Sequence, residues 1–379
     1  MKDEFDKVAN WPRATRTFLL GRGYVPLLAV VCFLLSSLLV VSFTRLAGAE
    51  FGSVPGATVE RCRWDCGWYA TIVNGGYDNA PHAHPKGDAA NWAFFPLFPA
   101  VAFLTKTFFG LKTGSALIWT GKLFLLLSFW AFLRLAEREC GRESLPFASA
   151  LLVFNPHGIY GHVGYTEPMY LFLCAVSFLA LTERRWLLAG AATAAMSAVR
   201  LVGVLFLASY AVQALRSGEL KGRAASSVVL GTLLCPLGLA AFMLYLHFHV
   251  GDALAFKHVQ VAWDREVINP LAAIWNGLVL GGWNRYFASV AVSSLAMSVW
   301  LAYRGKLEYS IFLLAATLLP LSTGLLSMPR YVFWQVPFLL GLTMLARHRT
   351  GLSFALIGFA AAMSAFVTVS WFAGRNFVV

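Results

Sequence analysis

Long apolar runs alternate with short polar interruptions along nearly the whole chain, and this spacing restricts the fold more than any motif does. The first run, Tyr24 to Leu46, contains Arg45 as its one charged residue and exceeds the ~20 residues that a helix needs to cross hydrocarbon. With 59% hydrophobic and only 13% charged residues, the chain has too little polar surface for a water-soluble globule. In lipid every backbone polar group needs an internal partner, which leaves helices or closed barrels, and runs of this length read as helices. The fold class expected is therefore an all-α polytopic membrane protein. No internal repeat or low-complexity linker divides the sequence, and residues 1–379 read as a single transmembrane domain.

Orientation follows from basic residues. Lys2, Lys7, Arg13, Arg16 and Arg22 precede the first run, which is too long for a signal-peptide core and lacks a small-residue cleavage site behind it. A retained first span with a cytoplasmic N-terminus is expected from the positive-inside rule. That puts the loop 47–91 outside, in periplasm or lumen, and the pattern suits a bacterial inner membrane. The net charge of +12 then serves topology and contact with anionic membrane lipids, and no nucleic-acid partner is expected.

Five further basic clusters fall at Arg134/Arg138/Arg142, Arg184/Arg185, Arg216/Lys221/Arg223, Arg304/Lys306 and Arg347/Arg349. If all face the cytoplasm, the chain turns at the outer face in Asn155 to Glu167, near Arg200, in Gly251 to Trp283 and in Ser327 to Tyr331. This makes 92–110 a re-entrant or interfacial segment and requires two spans of ~14 residues around Arg200, each ~21 Å long at 1.5 Å per residue. The total is about 11 crossings at ~20 residues apiece, some of them short.

On this topology Asp65, His157, His162, Glu167, Arg200, His258, Asp264 and Arg330 collect at the outer face. Ionisable groups at membrane depth are costly, so their convergence points to function. Asp65 lies between Trp64 and Trp68. Aromatic surroundings would desolvate its carboxylate and suit it to deprotonating a hydroxyl; the other reading is an interfacial loop with aromatic anchors, Asp65 capping a short helix. Arg200 and Arg330 offer paired donors to a phosphate, or they pair with a carboxylate such as Glu167. Pro156 and Pro168 bracket a break in helicity, which membranes tolerate where backbone lines a cavity or buried interface.

Asp78, His82, His84 and Asp88 give only a weak metal-ligand pattern. A divalent metal stays open, but no metal site and no required cofactor are expected. Of the six cysteines, Cys62 and Cys66 flank Asp65; a bridge at helical i, i+4 spacing conflicts with usual disulfide geometry, and unpaired packing is the expectation.

The strings RWDCGWYATIVNGGY, FFPLFP, FNPHGIYGHVGYTEP, AVRLVG, FKHVQVAW and MPRY, in that order, resemble bacterial relatives of the PIG-V family, the second mannosyltransferase of glycosylphosphatidylinositol-anchor synthesis. The resemblance runs from about Arg61 to Tyr331. It implies a GT-C glycosyltransferase fold with a polyprenyl-phosphate sugar as donor, most simply polyprenyl phosphate mannose, and a lipid, glycan or protein acceptor. On that resemblance Asp65 is the catalytic base. Arg200, Arg330 and Tyr331 would hold the donor phosphate, while Trp64, Trp68, Tyr165, Glu167, His162, His258, Gln260 and Trp263 would line the substrate site. The His- and Pro-rich loop between Tyr77 and Phe94, and Cys after Asp65, depart from the pattern.

Two other classes fit parts of the sequence. A lipid-linked sugar flippase or exporter also needs many spans, a basic cavity and aromatic walls, but tends to carry midplane charges and internal repeats. A non-catalytic envelope scaffold needs neither the carboxylate nor the arginines.

Overall fold

The computed structural model describes residues 23–51, 62–83, 87–222 and 224–375. The basic leader, His84 and Arg223 lie outside them. The described chain is helical. Helices α1 (Tyr24–Phe51), α2 (Asp65–Gly75), α3 (Leu97–Phe109), α4 (Thr113–Cys140) and α5 (Leu145–Val153) form the first part. Then come α6 (Glu167–Thr182), α7 (Trp186–Ser197), α8 (Phe206–Ser217), α9 (Ala225–Leu234), α10 (Leu237–Val250) and α11 (Ala255–His258). The last part holds α12 (Pro270–Leu280), α13 (Gly282–Tyr303), α14 (Leu307–Leu321), α15 (Met328–Phe333), α16 (Val336–Ala346) and α17 (Thr350–Phe372).

Five segments among the described residues are long and apolar enough to cross a membrane: Tyr24–Gly48, Thr113–Cys140, Ala225–Val250, Gly282–Tyr303 and Thr350–Phe372. Their outward sides carry exposed Leu34, Leu38, Leu230, Leu233, Leu244 and Phe354, the pattern of helices solvated by acyl chains. The protein is an integral membrane protein. Shorter apolar helices of 10–17 residues fill the bundle, including α7 and α8 on either side of Arg200, where two short spans are expected. The 92–110 segment supplies the 13-residue α3, about 20 Å at 1.5 Å per residue.

Close packing relies on small residues. A Cβ at Gly190 of α7 would lie 2.3 Å from the Gly231 carbonyl of α9, so those helices meet backbone to backbone, as glycine allows in membranes.

The basic clusters converge. Arg138 pairs with Glu183 at 3.0 Å, Arg184 with Glu219 at 2.7 Å, Arg216 with Glu308 at 3.2 Å and Lys306 with Glu139 at 2.5 Å. Arg347 pairs with Glu143. These contacts join the five clusters, spread over more than 200 residues of sequence, into one rim. All the expected inner loops thus share one end of the bundle, and the candidate site is built from the turns between them.

Candidate active site

Four charged side chains from four separate segments meet in one line. Asp65 is the first residue of α2, and its Oδ2 lies 2.6 Å from Arg330 Nη2. Arg330 Nε donates to Glu167 Oε1, and Arg200 Nη2 donates to the same oxygen at 2.5 Å. Arg200 Nε also donates to Thr166 Oγ1 at 3.0 Å. Exposure rises outward from the centre: the side chains of Glu167, Arg330, Arg200 and Asp65 are 0%, 6%, 15% and 22% exposed. Asp65 is therefore the most accessible of the four.

Local sequence explains each position. Trp64 takes a positive φ of 51°, a conformation that costs a side-chain-bearing residue about 1–2 kcal/mol. That turn lets α2 begin at Asp65, where the carboxylate also meets the positive end of the helix. Pro168 directly follows Glu167 in the first turn of α6, a position where its missing N–H is harmless. Arg330 sits on the short α15, which follows Ser327 at φ 68° and carries Pro329 in its first turn.

Aromatic rings wall in the cations. Arg330 lies over Tyr165 at 4.6 Å and Tyr160 at 5.0 Å from the ring centroids. Arg200 lies 5.8 Å from the Tyr170 centroid and 5.5 Å from that of Tyr331, and Arg265 approaches Tyr331 at 5.9 Å. Such faces attract cations where water is excluded. Tyr165 also donates its hydroxyl to the Arg63 carbonyl at 3.1 Å, tying the wall to the chain just ahead of Asp65. His157 stands behind this group, buried, with Nε2 3.2 Å from the Tyr286 hydroxyl. Its burial, and then the Arg330 cation, push its pKa down to about 3.

Several expectations change. Asp65 is not enclosed by its neighbouring tryptophans: Trp64 packs edge-on against Trp371, Trp68 stacks on Phe94, and a guanidinium is the carboxylate's partner. Tyr165, Glu167 and His162, expected against substrate, are buried. Tyr165 and Glu167 hold Arg330, and His162 lines a narrow gap with Val40, Leu125, Phe129 and Trp334. Arg330, expected at a phosphate, is enclosed between two carboxylates. His258 Nδ1 lies 2.7 Å from Asp252 Oδ2 and holds that carboxyl below its usual range, while Gln260 donates to the Phe256 carbonyl. Of that segment Trp263 reaches the site, edge-on to Trp68 at 5.4 Å. Trp92 is buried, and its indole N–H donates to the Asp78 carbonyl at 2.7 Å.

The loop pair Asp78 and Asn91 closes on itself, each backbone N–H donating to the other's side chain at 2.9 and 2.8 Å. No group of three or more potential metal ligands occurs among the described residues.

Cys62 and Cys66 form a disulfide, contrary to the expectation, with Cα atoms 4.9 Å apart. The expectation assumed one continuous helix. Cys62 instead precedes the helix, and the turn at Trp64 brings the two cysteines within the usual bridging distance.

Sequence reading missed Tyr160, Thr166, Tyr170 and Arg265. Arg265 lies two residues after the Trp263 that the motif singles out, and a basic residue beside that aromatic was the available signal.

Neither a family model nor a curated protein matches the sequence. Among solved structures, ArnT from Cupriavidus metallidurans, crystallised with undecaprenyl phosphate, superposes with a TM-score of 0.51 at 15% identity over 87% of this chain. The fold is that of the GT-C glycosyltransferases. The chain spans 63% of the length of ArnT. AglB from Archaeoglobus fulgidus, in complex with an inhibitory peptide and a dolichol-phosphate, aligns at TM-score 0.48 and 12% identity, covering 90% of this chain and 55% of AglB.

Proposed function

We propose that this protein transfers a sugar, with inversion, from a polyprenyl-phosphate-linked donor to an acceptor hydroxyl at the periplasmic or lumenal face. The observation that carries the reading is Asp65: a partly exposed carboxylate at a helix start, held from behind by Arg330, in a GT-C fold. Donor tails lie between lipid-facing helices. Asp65 accepts the proton of the acceptor hydroxyl, whose oxygen attacks the anomeric carbon as the bond from that carbon to the phosphate oxygen breaks. Polyprenyl phosphate leaves with the bonding pair, and cations stabilise its developing charge. Trp68 and Trp263, half-buried and packed edge-on to each other, offer aromatic surfaces for a sugar ring.

Arg330 orients Asp65, and Glu167 with Tyr165 orients Arg330. Mannose is the sugar that the PIG-V resemblance suggests, with a lipid, glycan or protein as acceptor. The Cys62–Cys66 bridge supports the outward placement of this face, because disulfides persist in oxidising compartments, while the opposite rim collects the basic loops.

The test supplies purified protein in vesicles with radiolabelled polyprenyl phosphate mannose on one leaflet. Transfer to an added acceptor glycolipid extract supports the reading. Movement of intact donor between leaflets without new product would replace it with a flippase.

A further inference from the structure

The four-membered line at the site is electrically closed. With Asp65 and Glu167 ionised, their two negative charges balance those of Arg200 and Arg330, each of which is ion-paired to a carboxylate in the line. The phosphodiester of an incoming donor would meet no net positive charge there, and would have to compete with a buried ion pair for a guanidinium, which is costly.

Arg265 is different. No carboxylate lies within 4.0 Å of its guanidinium among the described residues, and its side chain is half-buried, against the Tyr331 ring. That ring also faces Arg200. Two guanidiniums on one aromatic ring, one neutralised and the other not, make a place where an anion relieves the remaining charge. The backbone aims it there: Asp264 takes φ 54°, turning the chain just after Trp263, whose ring packs on Trp68, one helical turn beyond Asp65. The Arg265 N–H donates to the Gln260 carbonyl at 3.3 Å, closing the turn.

We infer that Arg265, stacked on Tyr331, is the cation that receives the phosphodiester of the lipid-linked donor and then the phosphate monoester that leaves, in place of the internally paired Arg330 and Arg200. This rests on the transferase reading and deepens it. A guanidinium offers two parallel donors to phosphate oxygens, and a half-buried one keeps its charge.

The experiment measures binding of undecaprenyl phosphate to full-length protein in nanodiscs, for wild type and for Arg265→Gln, Arg265→Lys and Arg63→Gln, each checked for folding by thermal melting. Arg63 is the comparison because its guanidinium stands over Trp371, 5.8 Å from the ring centroid. Expected are a rise in Kd of about tenfold or more for Arg265→Gln, the weight of one charge-assisted pair, an intermediate rise for Arg265→Lys, and no change for Arg63→Gln. Inorganic phosphate and unphosphorylated polyprenol serve as competitors; competition by phosphate that weakens in Arg265→Gln locates the head group itself. Wild-type binding matched by Arg265→Gln, or a loss confined to Arg63→Gln, overturns this assignment alone. A wild type that binds no polyprenyl phosphate overturns the donor reading with it.

Discussion

Glu167 is the hinge of the charged line, and replacing it with glutamine removes its charge while keeping its shape. Its Oε1 receives both arginines and its side chain has no exposure. Removing one partner of a buried pair costs about 3–5 kcal/mol. Each arginine here keeps a second partner, Arg330 its Asp65 and Arg200 its Thr166, so the low end, about 3 kcal/mol, is expected. For 379 residues, at ~2.1 cal/mol/K per residue, the unfolding entropy is about 0.8 kcal/mol/K, and Tm should fall by about 4 °C. Melting followed by tryptophan fluorescence in detergent reads this directly. The double variant Glu167→Gln with Arg200→Gln should lose less than the sum of the single losses, by about 0.5–3 kcal/mol, because the two groups share one contact. Unchanged melting of Glu167→Gln, or strict additivity in the cycle, would refute the claim that this ion-pair line organises the site.

Three further predictions concern the groups around it. At Gly164, φ is +76° and a Cβ would lie 2.9 Å from Cys66 Sγ and 3.2 Å from Leu117 Cβ, so Gly164→Ala should destabilise by about 1–3 kcal/mol; Gly67→Ala, with open space at its Cβ, should not, and equal melting of the two variants would contradict the packing. Alkylation of the unfolded, unreduced chain should tag four thiols, Cys32, Cys140, Cys174 and Cys235, leaving Cys62 and Cys66 bridged, and mass spectrometry that counts six tags would remove the bridge. For His157, burial favours the neutral ring, so a folded pKa depressed to about 3 leaves stability intact above the unfolded value near 6.5 and erodes it as pH falls below that, by up to about 1.4 kcal/mol per pH unit. His157→Gln should flatten the fall in Tm between pH 7 and 5, and an unaltered slope would count against it.

Much of the fold was legible because each link rests on a local rule. Apolar runs mark the helices, and basic clusters mark one rim, which ion pairs such as Arg216 to Glu308 then join. Asp65, Glu167, Arg200 and Arg330 could be grouped in advance, since each interrupts an apolar stretch at a turn expected on the same face. Their pairing could not: the sequence does not say which carboxylate a guanidinium takes, and here Arg330 takes two. The Cys62–Cys66 bridge was hidden for a geometric reason, as a positive φ at a tryptophan is a tertiary outcome that helical spacing does not anticipate. His258 and Gln260 carry polar groups of the right kind, yet they spend them on Asp252 and the Phe256 carbonyl, while their neighbour Trp263 reaches inward.

Sugar transfer by Asp65→Asn tests the central claim most directly, because asparagine keeps a hydrogen bond to Arg330 but cannot accept the acceptor's proton. With polyprenyl phosphate mannose as donor and both proteins shown to be folded, wild type should form product and Asp65→Asn should lose at least about 100-fold in rate, the lower range for general-base catalysis. Equal rates in the two proteins would contradict the account and remove Asp65 from the reaction.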